Sequence, residues 1–431
     1  MSPAQPAPPW SVAQAEAYLR SMDLFGMRFG LDRMRRLMTV LDLPHERFDA
    51  VHVVGTNGKS STTRFIAAIL QRHGLHTGAY LSPHLISYTE RVQVNERDVS
   101  PEAFAEAVGR AAWAAERVNR TLGEGDVVTQ FELLTAAAYR LLADSGVQVG
   151  VIEAGLGGRY DATSVIDAAV TVLTNVGLEH TRWLGPTLAD IAREKLAVVH
   201  RGTALVLGSQ LDPTIEAYAR QVAAEVGAPV LVAPAPAGAG VPVLHAGGRF
   251  QRANFGLAVA AARAYLDRID RQLDPEAVLD AAAVTLVPGR FQLVAEAPPT
   301  VLDGAHNPAS FAALTESIPD LSAGRPLAAV VGILDDKDAA AMLGALRPHT
   351  DRLWVTAPHS PRALPPPTLQ SLARLVGFEE PECELDPGRA LRAARAWAAA
   401  QPGGGVVLAT GSIYLVGELL DILRVTKAEA R

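Results

Sequence analysis

The chain has 431 residues, more than one hydrophobic core usually holds, which predicts two domains or three. Hydrophobic residues make up 49% and charged residues 20%, which excludes wholesale disorder; a formal net charge of −7 excludes a protein that coats nucleic acid or an anionic membrane. A single cysteine, Cys383, excludes an intramolecular disulfide and a multi-cysteine metal cluster, and fits a reducing compartment. No apolar run reaches the roughly 18 residues of a membrane span. The nearest, Gly405 to Leu423, is interrupted by Thr410, Ser412, Tyr414, Glu418 and Asp421. Met1 to Trp10 is rich in proline and lacks basic residues, so it reads as a disordered lead rather than a signal peptide, and a cytoplasmic protein is expected.

Strand and helix patterns alternate along the chain. Phe48 to Val54 reads as a strand and Ser60 to His73 as a helix ending at Gly74. Further strands are expected at Thr77–Leu81, Val147–Ile152, Ala169–Leu173 and Thr203–Leu207, with helices at Thr129–Asp144 and Thr187–Val199. A second series follows at Thr300–Leu302, Leu327–Ile333, Leu353–Thr356 and Val406–Ala409. Such alternation predicts βαβ units and a parallel sheet covered by helices. Pro298-Pro299 ends the stretch between the two series, so the boundary is expected there, with domains at 1–296 and 297–431.

The unusual polar clusters fall just after strands: Gly55–Ser61, Ser82–His84, Glu153–Asp161, Asn175–His180, Asp303–Asn307 and Asp335–Asp338. In open parallel sheets ligands bind at the carboxyl ends of the strands, so the chemistry is expected on one edge of each sheet. Gly55-Thr56-Asn57-Gly58-Lys59-Ser60-Ser61 is a shortened phosphate loop between a strand and a helix. Its glycines allow a tight turn that aims N–H groups at a phosphate, and Lys59 supplies a full positive charge. Glu153, at a strand end beside that loop, is placed where Mg²⁺ would sit, since Mg²⁺ takes one or two carboxylates plus phosphate oxygens; taken alone it reads as an ordinary charged loop residue. By spacing alone, His180 is a structural hydrogen bonder and Lys195 a solvated helix lysine.

Together these residues resemble the folate branch of the Mur ligases, the folylpolyglutamate synthases that are often bifunctional with dihydrofolate synthase. The matching segments include Gly55–Lys59, Leu81–Leu85, Tyr88–Val92, Glu153–Arg159, Asp161–Thr163, Thr174–His180, Pro288–Gln292, Asp303–Pro308, Gly332–Leu334 with Asp336–Asp338, and Thr410–Ser412. The resemblance implies an α/β fold, with an N-terminal Mur-ligase-type phosphate-loop ATPase domain built on a parallel sheet and a smaller Rossmann-like C-terminal domain. It implies ATP, two Mg²⁺ sites and a carbamate derived from CO₂ on Lys195. Catalytic roles would fall to Lys59, Lys195 and His306. Nucleotide contacts would come from Gly55, Thr56, Asn57, Gly58, Lys59, Ser60, Ser61, Asn254, Arg290, Asp303 and His306. The metal ligands would be Ser82, Glu153, His180 and carbamylated Lys195. Phe29, Gly30, Leu31, Thr129, Tyr160, Asp161 and Ala162 would receive the pterin-bearing substrate, with Lys337 and Ser412 near the glutamate. Ser60 stands where the family often has glycine, Ser164 where it often has asparagine and Glu179 where it often has aspartate.

The implied reaction joins L-glutamate to folate, or to dihydropteroate, through an acyl phosphate, with ADP and phosphate released. The partners are small molecules, with no nucleic acid and no membrane, and family precedent favours a monomer. Two other readings stand beside it. A plain phosphate-loop ATPase or kinase would turn over without glutamate. A non-catalytic relative would bind ATP or folate only; Lys59, Glu153 and Lys195, all present, speak against it.

Overall fold

The computed structural model describes residues 10–22, 30–235 and 242–429. Phe29 and the proline-rich lead before Trp10 lie outside them. The chain divides into two compact units, Met1–Pro242 with Ala253–Ala283, and Val243–Arg252 with Val284–Arg431.

The first unit is built on an eight-stranded sheet. Its strands are β1 (Asp49–Val54), β2 (Thr77–Tyr80), β3 (Val92–Val94), β4 (Arg97–Asp98), β5 (Val149–Glu153), β6 (Ala168–Leu173), β7 (Ala204–Leu207) and β8 (Val230–Val232). They lie in the order β4-β3-β2-β5-β1-β6-β7-β8. From β2 to β8 every neighbour is parallel, and β3 and β4 add an antiparallel edge. The central strands are apolar along their length because helices cover both faces: β5 and β6 are buried throughout. The helices are α1 (Val12–Ser21), α2 (Asp32–Val40), α3 (Lys59–Arg72), α4 (Pro101–Asn119), α5 (Gln130–Asp144), α6 (Thr181–Leu184), α7 (Leu188–Leu196), α8 (Pro213–Val226), and most of α9 (Phe250–Arg268) and α10 (Pro275–Val284). Leu19, Met34, Leu37, Phe104, Leu133 and Tyr139 join α1, α2, α4 and α5 into one core.

The second unit carries β9 (Gln292–Glu296), β10 (Pro299–Leu302), β11 (Leu327–Val331), β12 (Arg352–Val355), β13 (Glu382–Cys383) and β14 (Val406–Thr410), in the order β13-β12-β11-β14-β10-β9. All pairs are parallel except β9 with β10. Around them lie α11 (Pro308–Thr315), α12 (Ile318–Ser322), α13 (Ala339–Leu346), α14 (Pro366–Leu375), α15 (Pro387–Ala399) and α16 (Ile413–Glu429). This architecture agrees with the α/β expectation. The boundary expected at 296/297 falls instead between β9 and β10, inside the second unit. Glu296 pairs with Pro299 across that hairpin, so Pro298 lies in its turn and Pro299 opens β10, and neither is a linker. Among the described residues no helix is long and apolar enough to cross a membrane.

Candidate active site

The polar clusters sit at the carboxyl edge of each sheet. In the first unit β1 runs into Gly55–Gly58 and then α3. Gly55 has φ +152°, and a Cβ there would stand 1.8 Å from Thr174 Oγ1. Gly58 has φ +82°, and its Cβ would stand 2.5 Å from Asn254 Oδ1. Both positions therefore demand glycine, and Asn254 of α9 lies directly against the loop. The segment after β6 braces the same loop: Asn57 N donates to Asn175 Oδ1 (2.9 Å), Thr174 Oγ1 to Asn57 O (2.6 Å) and Gly177 N to Thr56 Oγ1 (2.9 Å). Lys59 heads α3, and its Nζ donates to Gly55 O and Thr56 O at 3.1 and 3.0 Å.

Glu153, the last residue of β5, is 2% exposed. Its Oε1 accepts from Ser60 Oγ (2.9 Å) and its Oε2 from Ser82 N (3.0 Å), so three neighbouring strand ends meet at one carboxylate. Ser60 thus sits within α3 with its hydroxyl engaged. Lys195 of α7 is 3% exposed, and its Nζ donates to Gly55 O at 2.8 Å. Burial, and secondly the charge of Lys59, hold its pKa down to about 7. A small cleft, open to solvent, is lined by Gly55, Lys59, Glu179, His180, Leu184 and Lys195 among others. His180 caps α6 with φ +53°, its Nε2 4.0 Å from Glu179 Oε1.

Among the described residues no cluster of three or more His, Cys, Asp or Glu side chains stands ready to hold a metal. A buried carboxylate between two serines, beside a phosphate loop, matches a cation that shares its ligands with phosphates and water.

The acceptor candidates are held by local structure. Gly30 has φ +119° and open space around it, and Leu31 precedes α2 as its N-cap. Thr129 caps α5, and Ala162 opens a 3-10 turn whose N-cap is Asp161. Asp161 is buried and accepts from Leu156 N (2.7 Å), Thr163 N (3.0 Å) and the Thr163 hydroxyl; burial pushes its pKa up. Tyr160 is 47% exposed beside it. Nothing in the sequence singled out Arg33, Gln130, Phe131 and Glu132, which turn out to join these segments.

In the second unit the clusters follow three adjacent strands, β11, β14 and β10. Asp303 is buried and accepts from Phe291 N and Ala305 N, both at 2.8 Å. Burial raises its pKa while the neighbouring Arg290 opposes the rise. The Arg290 guanidinium lies over Gly304, where a Cβ would come within 2.2 Å of Nη1. His306 Nδ1 is 2.8 Å from Gly304 O. Gly411 N donates to Ala305 O, which brings the turn bearing Ser412 beside the Asp303–His306 turn. Lys337 lies after β11, its Nζ 3.6 Å from Asp336 Oδ2.

A phosphate loop on a central parallel strand, with an Asp-Gly-Ala-His-Asn turn in a second α/β unit, is the arrangement of a Mur-type ligase. Residues 289–413 match the family described as Mur ligase, glutamate ligase domain. The chain is 34% identical over 383 residues to the dihydrofolate synthase/folylpolyglutamate synthase of Mycobacterium tuberculosis, covering 80% of this chain and 77% of that protein. It is 31% identical over 424 residues to the protein of the same name from Escherichia coli, covering 94% of each. The solved Mycobacterium tuberculosis folylpolyglutamate synthase complexed with ADP superposes with a TM-score of 0.88 at 29% identity, over 96% of this chain and 98% of that one. The chain belongs to the dihydrofolate synthase/folylpolyglutamate synthase family.

Proposed function

We propose that the chain is an ATP-dependent amide ligase that adds L-glutamate to the glutamate tail of a folate. A carboxylate is a poor electrophile, so the γ-phosphoryl group of ATP converts it to an acyl phosphate, which the amino group of glutamate attacks; ADP and phosphate are released. Phosphoryl transfer needs positioning and charge neutralisation rather than a protein nucleophile. The observation that carries this reading is the convergence of the phosphate loop and two lysines, Lys59 and Lys195, on one cleft, with buried Glu153 bonded to Ser60 of that loop.

In this reading Gly55–Ser61 cradle the phosphates, and Lys59 leaves its carbonyl partners to pair with them. Asn254 touches the nucleotide beside Gly58, and Arg290, Asp303 and His306 are further nucleotide-contacting candidates. Ser82, Glu153, His180 and carbamylated Lys195 would hold magnesium at two sites. Bound Mg²⁺ would neutralise the charge that develops on the transferring phosphoryl oxygens. Carbamylation needs a neutral amine, and the dry surroundings of Lys195 supply one near neutral pH. Gly30, Leu31, Thr129, Tyr160, Asp161 and Ala162 receive the acceptor, and Lys337 and Ser412 the incoming glutamate.

Dihydropteroate is a second acceptor in this reading, favoured by the double name of both relatives. The test is phosphate release from ATP with tetrahydrofolate, dihydropteroate or a muropeptide, each with and without glutamate. Glutamate-dependent release with tetrahydrofolate is expected. Release that ignores glutamate would overturn the ligase reading, and release with dihydropteroate decides the second activity.

A further inference from the structure

The first turn of α5 carries more buried polar chemistry than helix capping requires. Thr129 N and Oγ1 donate to Glu132 Oε2 at 2.8 and 2.9 Å, and Glu132 N donates back to Thr129 Oγ1 at 3.3 Å. A capping box needs only one carboxyl or amide oxygen at this position. Here Arg33 Nε also donates to the same carboxylate, at 3.0 Å to Oε1 and 3.2 Å to Oε2. The guanidinium extends to Asp126 Oδ1 at 3.1 Å. Arg33 and Glu132 are only 6% and 5% exposed.

The neighbouring residues of the turn reach elsewhere. Buried Gln130 donates through Nε2 to Leu19 O, near the end of α1, at 2.6 Å. The Phe131 ring lies against Gly155, where a Cβ would come within 2.5 Å. Three consecutive side chains thus hold the end of α1, the loop that follows Glu153 and the first turn of α2. The last two of these segments bear acceptor candidates, and Thr129 caps α5 itself. Gly30 and Leu31 stand just before Arg33, and Tyr160, Asp161 and Ala162 lie in the loop opened by Gly155.

A buried ion pair of this kind is weak evidence for stability, because replacing both partners by uncharged groups of similar volume is often neutral. What a guanidinium that spans two carboxylates, with Nε on Glu132 and Nη1 on Asp126, contributes is fixed geometry. We propose that the first turn of α5 positions the acceptor-binding segments, with the Arg33–Glu132 pair setting the place of Gly30 and Leu31 and so the affinity for the pterin-bearing substrate. The proposal rests on the folate reading above. Arg33 and Glu132 act as positioning residues: they touch the segments, not the substrate.

The test is the double variant Arg33→Met with Glu132→Gln, which removes both charges and leaves an amide oxygen as acceptor in place of the carboxylate oxygen that the cap uses. The KM for tetrahydrofolate is expected to rise about tenfold or more, a loss of roughly 1.4 kcal/mol in binding. The kcat and the KM values for ATP and glutamate stay within about twofold, and the Tm stays close to that of the parent. Arg33→Lys, which keeps the charge without the fork, gives an intermediate KM. Titration of tetrahydrofolate followed by protein fluorescence gives the same order. An unchanged KM in a folded variant overturns the proposal, as does a parallel loss across kcat and all three KM values, the mark of general damage. Should the double variant fail to fold, Glu132→Gln alone decides by the same readings. Absence of wild-type turnover with any folate overturns the functional reading itself, whereas normal wild-type turnover with unaffected variants overturns only this inference.

Discussion

His52 makes the stability of the first unit depend on pH in a way that can be worked out in advance. It lies on β1, 1% exposed, with Nε2 2.9 Å from Thr163 Oγ1. The Thr163 hydroxyl gives its own proton to Asp161 Oδ1, so it can only accept from the ring, and His52 carries its proton on Nε2. Loss of hydration, with His200 adding to it, lowers the ring's pKa from 6.5 to about 3. The folded ring therefore stays neutral across a range in which the unfolded ring takes a proton. Its contribution is complete above pH 6.5 and is lost as pH falls from 6.5 towards 3, by about 1.4 kcal/mol per unit. At pH 5 the loss is about 2 kcal/mol. His52→Gln retains an N–H donor for Thr163 and does not titrate. Any packing cost of the glutamine is independent of pH and cancels when the two proteins are compared at two pH values. Urea unfolding at pH 7.5 and pH 5.0, followed through exchange of the β1 amides, should show the gap moving by about 2 kcal/mol in favour of the variant at the lower pH. A movement below about 0.5 kcal/mol would refute the reasoning, since it would mean that the ring is hydrated or protonated in the folded chain.

Other expectations concern the cleft directly. Lys59→Ala should lower kcat by at least about 10²-fold with the circular dichroism spectrum unchanged, since it removes one preorganised charge from the transferring phosphate; wild-type turnover would take the loop out of the mechanism. Lys195→Ala should lose turnover and recover part of it with acetate or another short carboxylate, whereas unimpaired turnover would count against the carbamate. Glu153→Gln should raise the magnesium concentration for half-maximal rate about tenfold or more, and an unchanged titration would remove Glu153 from the ligand set.

The parts of the molecule legible in the sequence are those written in short stretches of chain. A parallel strand covered on both faces is a continuous apolar run, and β1, β5 and β6 read that way. Because the run stops where the chain emerges at the sheet edge, the polar residues after it mark the site, and Gly55–Ser61, Glu153 and Asp303 were visible for that reason. Short pieces fared worse. β3 and β4, of three and two residues, carry no periodicity, and Pro298-Pro299 has a linker's composition yet sits in a hairpin.

The residues that hold the site in place were not legible, and the reason is physical rather than accidental. Arg33 and Glu132 stand 99 positions apart, and in the sequence each is an ordinary charge on an amphipathic helix. Likewise Asn175 is separated by 118 positions from the Asn57 amide that it receives, and Lys195 by 140 from the Gly55 carbonyl. A charged helix residue is far more often solvated than buried, so the local reading of each was correct for its surroundings in the chain and wrong for its surroundings in space. What distinguishes them is that sheet order, β5 beside β1 beside β6, carries distant loops to one edge, and water is excluded there only after the sheet has assembled. The depressed pKa of Lys195 belongs to the same class: it is a property of the assembled edge, and Lys195→Met should be stable where the lysine had to be desolvated, yet inactive if the charge chemistry of the cleft is as proposed.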